Sequence, residues 1–458
     1  MRLLIALLAG LATSCATLPT VNLARQLPLS KSAVPITFEG PSGTVGTAKA
    51  EVTSDRMAAA DPLLDDYMGM SSRLIGEPLI IGNQVDLLVD GPATYAAMFA
   101  ALEAAERTID IQSYIFDEVE FNGTTLVQVL ADKVGSGVAV RVLVDGVGSA
   151  AAGPLLETLR AAGISTCVFN PVESSWFRPA RLNHRDHRKI VVVDGGDAFA
   201  GGINFSRVYR SGSSIFSRRS PQTLDTGWRD THVRVRGPGA RRLGELFAET
   251  WAKQDCEPAA DPALAIAPTE QVAKAGETLL QIIPSSPDSA SNLTYISVLG
   301  AVAYARKSID VTMAYFIPDD QLEEQLIAAA GRGVMVRMVL PGFSDFVGVF
   351  YAGRAHYGRL LAGGVRIYEE QNAFLHAKTV MVDDIWSTVG STNWDWRSFV
   401  LNDEVSVVVI DRGFAGLMKN MFQDDLKTSR EITPAQWEAR SGKERFLERF
   451  WSGFGRLL

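Results

Sequence analysis

One pattern occurs twice in this chain, and it constrains everything else the chain can be. The first copy is His187-Arg188-Lys189, followed by Asp194, Gly201-Gly202 and Asn204. The second is His376-Ala377-Lys378, followed by Asp383, Gly390-Ser391 and Asn393. In both, Lys comes two residues after His, Asp seven and Asn seventeen. Only five His occur in 458 residues, so two in matching frames are a signal. Each frame sits on β-rich sequence, and a strand sends residues i and i+2 to the same face. His and Lys of each copy are therefore expected to point together, one a nucleophile or acid, the other a fixed positive charge.

The surroundings repeat as well. Arg107-Thr-Ile-Asp-Ile-Gln-Ser-Tyr-Ile-Phe116 has a counterpart in Arg306-Lys-Ser-Ile-Asp-Val-Thr-Met-Ala-Tyr-Phe316. Residues 135–146 match 331–342, and 161–164 match 362–365. This predicts a duplicated domain. Within the first half, strands are expected at 85–89, 108–116 and 138–144. A turn is expected at 90–92, and helices at 94–107 and 126–134. Strand and helix alternating in this way predict a largely parallel sheet covered by helices. An apolar content of 47% supplies ample core. The net charge of −8 argues against bulk nucleic-acid binding, which usually brings a basic footprint.

The first fifteen residues stand apart. Met1-Arg2 precedes a Leu/Ala-rich run from Leu3 to Ala12, then Thr13-Ser14-Cys15. The run is shorter than the about 20 apolar residues a membrane span needs, and reads as a secretory signal. Cys15 after small residues resembles the lipobox of bacterial lipoproteins, with Cys15 as the lipidated residue. Cys167 and Cys256 either form one disulfide or stay as two thiols. No Cys/His spacing resembles a zinc site, so no metal is expected.

If the halves pack face to face, two His, two Lys and two Asn meet in one pocket. Two ammonium groups with the amides of Asn204 and Asn393 would neutralise and orient a phosphate diester without a metal or cofactor. One imidazole would attack phosphorus; the other would protonate the leaving oxygen. Asp230 and Glu404 each stand just before an alternating run, and are expected to hold the ring N–H of a catalytic His. The alternative is a surface turn acid. His184, His232 and His356 are expected to be structural or incidental. Two basic, partly aromatic loops, 174–185 and 207–226, flank the first frame. The tail carries Phe446, Phe450 and Phe454 at i, i+4 and i+8 among Arg and Lys. It suits either a bilayer interface or the domain's own core.

The doubled His-x-Lys-x4-Asp frame resembles the phospholipase D superfamily, and within it bacterial cardiolipin synthases. The resemblance covers roughly residues 80–458. It is carried by Asn183-His-Arg-Asp-His-Arg-Lys-Ile190, residues 228–238, residues 314–319, Phe374-Leu-His-Ala-Lys378 and Gly390-Ser-Thr-Asn-Trp-Asp-Trp-Arg-Ser398. It implies an α/β fold: a duplicated phospholipase D-like domain, two mixed sheets packed face to face with flanking helices as an α-β-α-β-α sandwich. Expected segments are a lipoprotein-type signal peptide (1–14), a tether and wrapping segment (15–75) and a first domain (76–256). A linker (257–278), a second domain (279–430) and an amphipathic tail (431–458) follow.

The resemblance implies a phosphatidyltransferase. A phosphatidyl group would pass from phosphatidylglycerol through a phosphohistidine to a second phospholipid or alcohol. His187 would be the nucleophile and His376 the acid/base, with His187, Lys189, Asp194, His376, Lys378 and Asp383 as the catalytic set. Phospholipid and membrane surface are the expected partners, with no nucleic acid and no cofactor. Using the same residues, a phospholipase D hydrolase releasing phosphatidic acid is the alternative, and a nuclease of the superfamily a remoter one. Cardiolipin synthases often carry two N-terminal membrane helices, absent here beyond the signal-like run. A lipid anchor in a bacterial cell envelope, periplasm-facing and with the outer membrane favoured, would replace them. Radioactive fatty acid should label the protein, and Cys15→Ala should abolish the label; label that survives the substitution would rule the anchor out.

Overall fold

Period-two apolar runs build two sheets that mirror one another in the computed structural model, which describes residues 18–21, 37–41, 43–46, 62–172, 179–210, 227–254, 256, 272–287 and 292–458. The signal-like run, Cys15, most of the expected tether, residues 257–271 of the linker and parts of both basic loops (173–178 and 211–226) lie outside the described residues.

The first sheet uses β1 (Leu79–Val89), β2 (Thr108–Ser113), β3 (Ala139–Asp145), β4 (Ser165–Phe169), β5 (Ile190–Val193), β6 (Asp197–Gly201) and β7 (Thr231–Arg236). Its order is β4-β3-β2-β5-β6-β7-β1. The second uses β8 (Thr278–Ser285), β9 (Ser308–Met313), β10 (Met335–Pro341), β11 (Arg366–Glu370), β12 (Lys378–Val382), β13 (Trp386–Gly390), β14 (Asn402–Ile410) and β15 (Ser429–Ile432). Its order is β15-β11-β10-β9-β12-β13-β14-β8. Within these orders β2, β3 and β4 run parallel, as do their counterparts β9, β10 and β11, and the other pairs are antiparallel. The largely parallel sheet read from the alternation is thus a mixed one. Short turns of three residues join β5 to β6 and β12 to β13, and such hairpins join antiparallel strands.

The long strand β1 links the sheets. Its residues 84–89 pair with β7, while Ile80 and Asn83 pair with Leu280 and Thr278 of β8. The helices include α1 (Pro62–Leu74), α2 (Asp90–Ala104), α3 (Leu126–Gly135), α4 (Pro238–Lys253), α5 (Leu293–Tyr304), α6 (Asp320–Gly331), α7 (Val347–Arg354), α8 (Arg412–Thr428) and α9 (Gly442–Ser452). The turn expected at 90–92 is the first turn of α2, where Pro92 is tolerated because that N–H has no intrahelical acceptor.

Strand alternation explains the layering. In β5, Val191 and Val193 point to a core shared with α2 and α3. Ile190 and Val192 point the other way, into a core with Val233, Val235, Met381, Val389, Val405 and Val407 from both halves. Leu243 and Leu246 of α4 and Phe414 and Met418 of α8 close that middle layer. The two halves are therefore fused by a dry core, and the segments leading into each His meet at its edge.

Cys167 on β4 and Cys256 beyond α4 form a disulfide, with Cα atoms 5.7 Å apart. The bond sits on Leu143, Phe169, Phe247 and Trp251. It spans 89 residues, a loop long enough for the cross-link to restrict the unfolded chain strongly. Cys256→Ser should lower unfolding free energy by about 2–5 kcal/mol in denaturant titrations. Reductant should do the same to the parent chain and nothing further to the variant.

Candidate active site

Each His is delivered by backbone pairing with the opposite half. The two-residue strand Arg185–Asp186 pairs in parallel with Asn402 and Asp403 at the start of β14. The His187 N–H then donates to the Asp403 carbonyl at 2.9 Å. On the other side, Arg229 N–H donates to Phe374 O at 2.9 Å, and His376 N–H donates to Arg229 O at 2.8 Å. This register sets each His beside the acid that follows its pairing partner in the other half.

The side chains complete the exchange. His187 Nδ1 lies 3.0 Å from both carboxylate oxygens of Glu404. His376 Nδ1 lies 2.7 Å from Asp230 Oδ2. All four groups are buried. With Nδ1 engaged by a carboxylate, each ring carries its proton there and leaves Nε2 for chemistry. The acids are themselves braced. Ser391 Oγ donates to Glu404 Oε2 at 2.5 Å, and Arg188 Nε donates to the Glu404 carbonyl at 3.1 Å. Arg229 donates to the Asp230 carbonyl at 2.7 Å while its fork holds Asp425 at 2.6 and 2.9 Å. Gly202 is required where it stands: a Cβ there would lie 2.0 Å from Asp230 Oδ1.

Lys189 Nζ donates to the His187 carbonyl at 2.5 Å and lies 5.2 Å from the centre of the Tyr114 ring. Lys378 Nζ lies 2.9 Å from His376 Nδ1 and also donates to its carbonyl. Asn204 and Asn393 are buried. The Asn204 Oδ1 accepts from Ile115 N–H at 3.0 Å, which fixes its amide, whereas Asn393 Oδ1 is buried without a partner among the described residues.

Burial, more than any single charge, pulls both imidazoles down to about 4, against the partial restoring pull of Glu404 on His187 and Asp230 on His376. It also lowers Lys189 to about 7 and Lys378 to about 8. Each Lys depresses the other half's His, so the two frames share one electrostatic field. For Asp230 and Glu404, burial alone would raise the acid, but the combined pull of His, Lys and hydrogen bonds outweighs it. The resting site therefore holds neutral imidazoles against ionised carboxylates.

Asp194 and Asp383 require a correction. They were expected among the catalytic residues and instead end β5 and β12, with φ of 51° and 55°. Asp194 accepts from the N–H groups of Glu106, Arg107 and Thr108 at 2.8–2.9 Å. Asp383 accepts from Arg306, Lys307 and Ser308 at 2.7–3.0 Å. Each locks the turn entering β2 or β9, and the strand lies between it and its His. Of the other His, His184 pairs with Asp403 at 2.9 Å and His356 with Glu323 at 2.6 Å, while His232 accepts from Ile203 N–H at 3.3 Å.

The sequence reading missed Tyr209, whose hydroxyl lies 3.1 Å from His376 Nδ1, and Trp228, whose ring lies 5.1 Å from the His376 ring. It also missed Tyr114, which meets the His187 ring edge-on at 4.9 Å. Tyr114 aligns with Ala314 in the repeat, so symmetry could not point to it.

Paired His/Lys frames, carboxylates exchanged between duplicated halves and this sandwich define the class: an enzyme of the phospholipase D superfamily. The family model for the cardiolipin synthase, PLD-like domain matches residues 98–211 and 298–426. A cardiolipin synthase from Geobacillus thermodenitrificans is 32% identical over 420 residues, which span 92% of this chain and 79% of the relative. Cardiolipin synthase A from Pseudomonas entomophila is 37% identical over 359 residues, 78% and 71% of the two chains. The crystal structure of phosphatidylserine synthase from Haemophilus influenzae superposes with a TM-score of 0.62 at 12% identity, covering 85% of this chain and 97% of that one, and shares the fold. The chain belongs to the cardiolipin synthase family of phospholipase D-like proteins, and it is a phosphatidyltransferase.

Two substitutions separate the roles of the acids. Glu404→Gln should cut kcat on the order of 100-fold or more with little change in melting temperature. Asp383→Ala should cost about 1–3 kcal/mol of stability in denaturant titrations and leave kcat of the folded protein within about threefold.

Proposed function

We propose that the enzyme makes cardiolipin by transferring a phosphatidyl group from one phosphatidylglycerol to another through a phosphohistidine on His187. The observation that carries this reading is the cross-half pairing of His187 with Glu404 and His376 with Asp230. It leaves two Nε2 atoms free in one field of two Lys, as attack and departure on opposite sides of phosphorus require.

In the first half-reaction, His187 Nε2 attacks phosphorus and the P–O bond to glycerol breaks. His376 enters this step as the imidazolium, the form that Asp230 and the anionic phosphate of the bound substrate favour over the neutral resting ring; it gives its Nε2 proton to the departing glycerol oxygen and becomes neutral. Lys189, Lys378 and the amides of Asn204 and Asn393 take up the charge on the equatorial oxygens. In the second, His376 removes a proton from a hydroxyl of the incoming phosphatidylglycerol, whose oxygen displaces His187. Cardiolipin forms and His187 is regenerated. Asp230 stabilises the imidazolium that His376 becomes, and Glu404 sets the tautomer of His187. Burial keeps His187 neutral, as a nucleophile must be, and it does the same to His376, so the division of roles rests on the trapping experiment below.

A lipid substrate calls for contact with a membrane surface. Among the described residues, no helix is long and apolar enough to cross a bilayer. In this reading a lipidated Cys15 holds the enzyme in the cell envelope, facing the periplasm. Purified protein with phosphatidylglycerol alone should yield cardiolipin and glycerol in a one-to-one ratio. Brief reaction of His376→Asn should trap a phosphatidyl group on His187, and His187→Asn should trap none. Phosphatidic acid as the main product would make the enzyme a hydrolase, and trapping on His376 would reverse the roles.

A further inference from the structure

Amphipathic helices normally bury their apolar face, but α9 packs Glu448 and Trp451 inward and leaves a second apolar face uncovered. Glu448 faces the protein and is buried. It meets Arg440 at 2.9 Å and Arg354 of α7 at 3.5 Å, and Arg354 also pairs with buried Glu369. The phenylalanines face out: Phe446 is 67% exposed, Phe450 47% and Phe454 39%, with Leu457 at 47%. Their rings form one ladder, with centroids 6.2 Å apart from Phe446 to Phe450 and 5.3 Å from Phe450 to Phe454. Such a spine of half-exposed aromatic rings leaves apolar area that burial elsewhere would remove from water.

This orientation is built in. Trp451 packs so closely on α7 that a Cβ on Gly348 would lie 3.0 Å from its ring. With Leu458, it covers Ile317, Val349 and Ala352. At the start of α7, Phe346 (47%) and Val347 (55%) are exposed as well. The helix is also coupled to the active site. Ala314 N–H donates to Ala377 O, between His376 and Lys378, at 2.9 Å, and Trp394, beside Asn393, donates from its N–H to Tyr315 O at 3.0 Å. Tyr315 in turn packs against the cluster that Trp451 and Leu458 cover. Arg456 from the tail lies 5.3 Å from the Trp396 ring, three residues past Asn393. Charge supplies the rest: residues 442–458 carry Lys443, Arg445, Arg449 and Arg456 against Glu444 and Glu448. Glu448 is buried and ion-paired with Arg354 and Arg440, so the exposed part of this end is basic in a chain of net charge −8.

We infer that the outer face of α9, with Phe346 and Val347, docks on an anionic lipid bilayer and presents the neighbouring active site to it. Aromatic rings enter the acyl boundary while the cations around them meet lipid phosphates, the two attractions that hold an interfacial helix. The inference rests on the proposed lipid substrate, and it assigns the surface through which that substrate arrives. Aromatic rings and cations side by side on one exposed helix match the two layers of an anionic bilayer surface, acyl chains and phosphates.

The test uses the full chain carrying Cys15→Ala, which removes any acyl anchor. That protein should float with vesicles of equal phosphatidylglycerol and phosphatidylcholine, and much less with phosphatidylcholine alone. Phe446→Ser, Phe450→Ser and Phe454→Ser combined should reduce flotation at least tenfold, with activity on short-chain phosphatidylglycerol dissolved as monomer kept within twofold. Lys443→Glu with Arg449→Glu should abolish the preference for the anionic vesicles. As a readout independent of any loss of fold, Phe450→Trp should keep binding, and its fluorescence should be quenched by brominated lipid in the vesicles. Unchanged flotation of the triple variant, no quenching, or conversion of a dimer to a monomer by the triple variant would overturn the inference. Failure of the parent to make cardiolipin from the soluble lipid would instead overturn the substrate reading and leave the docking result standing.

Discussion

Two hydrogen bonds between imidazole and carboxylate, each crossing from one half of the molecule to the other, govern the architecture. A His on a buried strand edge is useful only if its tautomer is set, and in this protein the group that sets it always belongs to the opposite half. The dry middle layer follows from that demand. Ile190, Val192, Val233 and Val235 meet Val389, Val405 and Val407 so that Arg185–Asp186 can pair with Asn402 and Asp403. Packing energy is spent on register, and register places the chemistry.

Duplication gives near symmetry, and the departures from it distinguish the two imidazoles. Where Gly202 lets Asp230 approach, Ser391 donates to Glu404. His376 has the Tyr209 hydroxyl at its Nδ1 and Trp228 and Phe374 at its ring, whereas His187 has the Tyr114 edge. Unequal surroundings are what two histidines with different duties require. A strictly symmetric pair would have no reason to divide attack from proton transfer.

Much of this was legible in the sequence, because it rests on spacing. The two frames, the repeat, Asp230 just ahead of β7 and Glu404 near the start of β14 are fixed offsets along the chain, and strand periodicity turns offsets into directions. What spacing cannot carry is partnership across more than a hundred residues. That Glu404 serves His187 rather than His376 depends on how two sheets stack. The same limit hid Arg188 and Arg229, which look like ordinary surface cations in sequence and brace the acids from within. Asp194 and Asp383 misled for the opposite reason. Their constant offset from His reflects the length of a strand, and their work is to satisfy three backbone N–H groups at its far end.

The bond between Cys167 and Cys256 has a consequence for wear. Between those two positions the chain runs through both basic loops, 174–185 and 207–226, and through His187, Lys189, Asn204 and Asp230. A protease that cut either loop would sever the backbone without releasing a fragment, since both ends stay attached through sulfur. The damaged enzyme would remain a single covalent body, its first-half site residues still tethered to the sheet that positions them. That is a form of durability that no amount of core packing supplies.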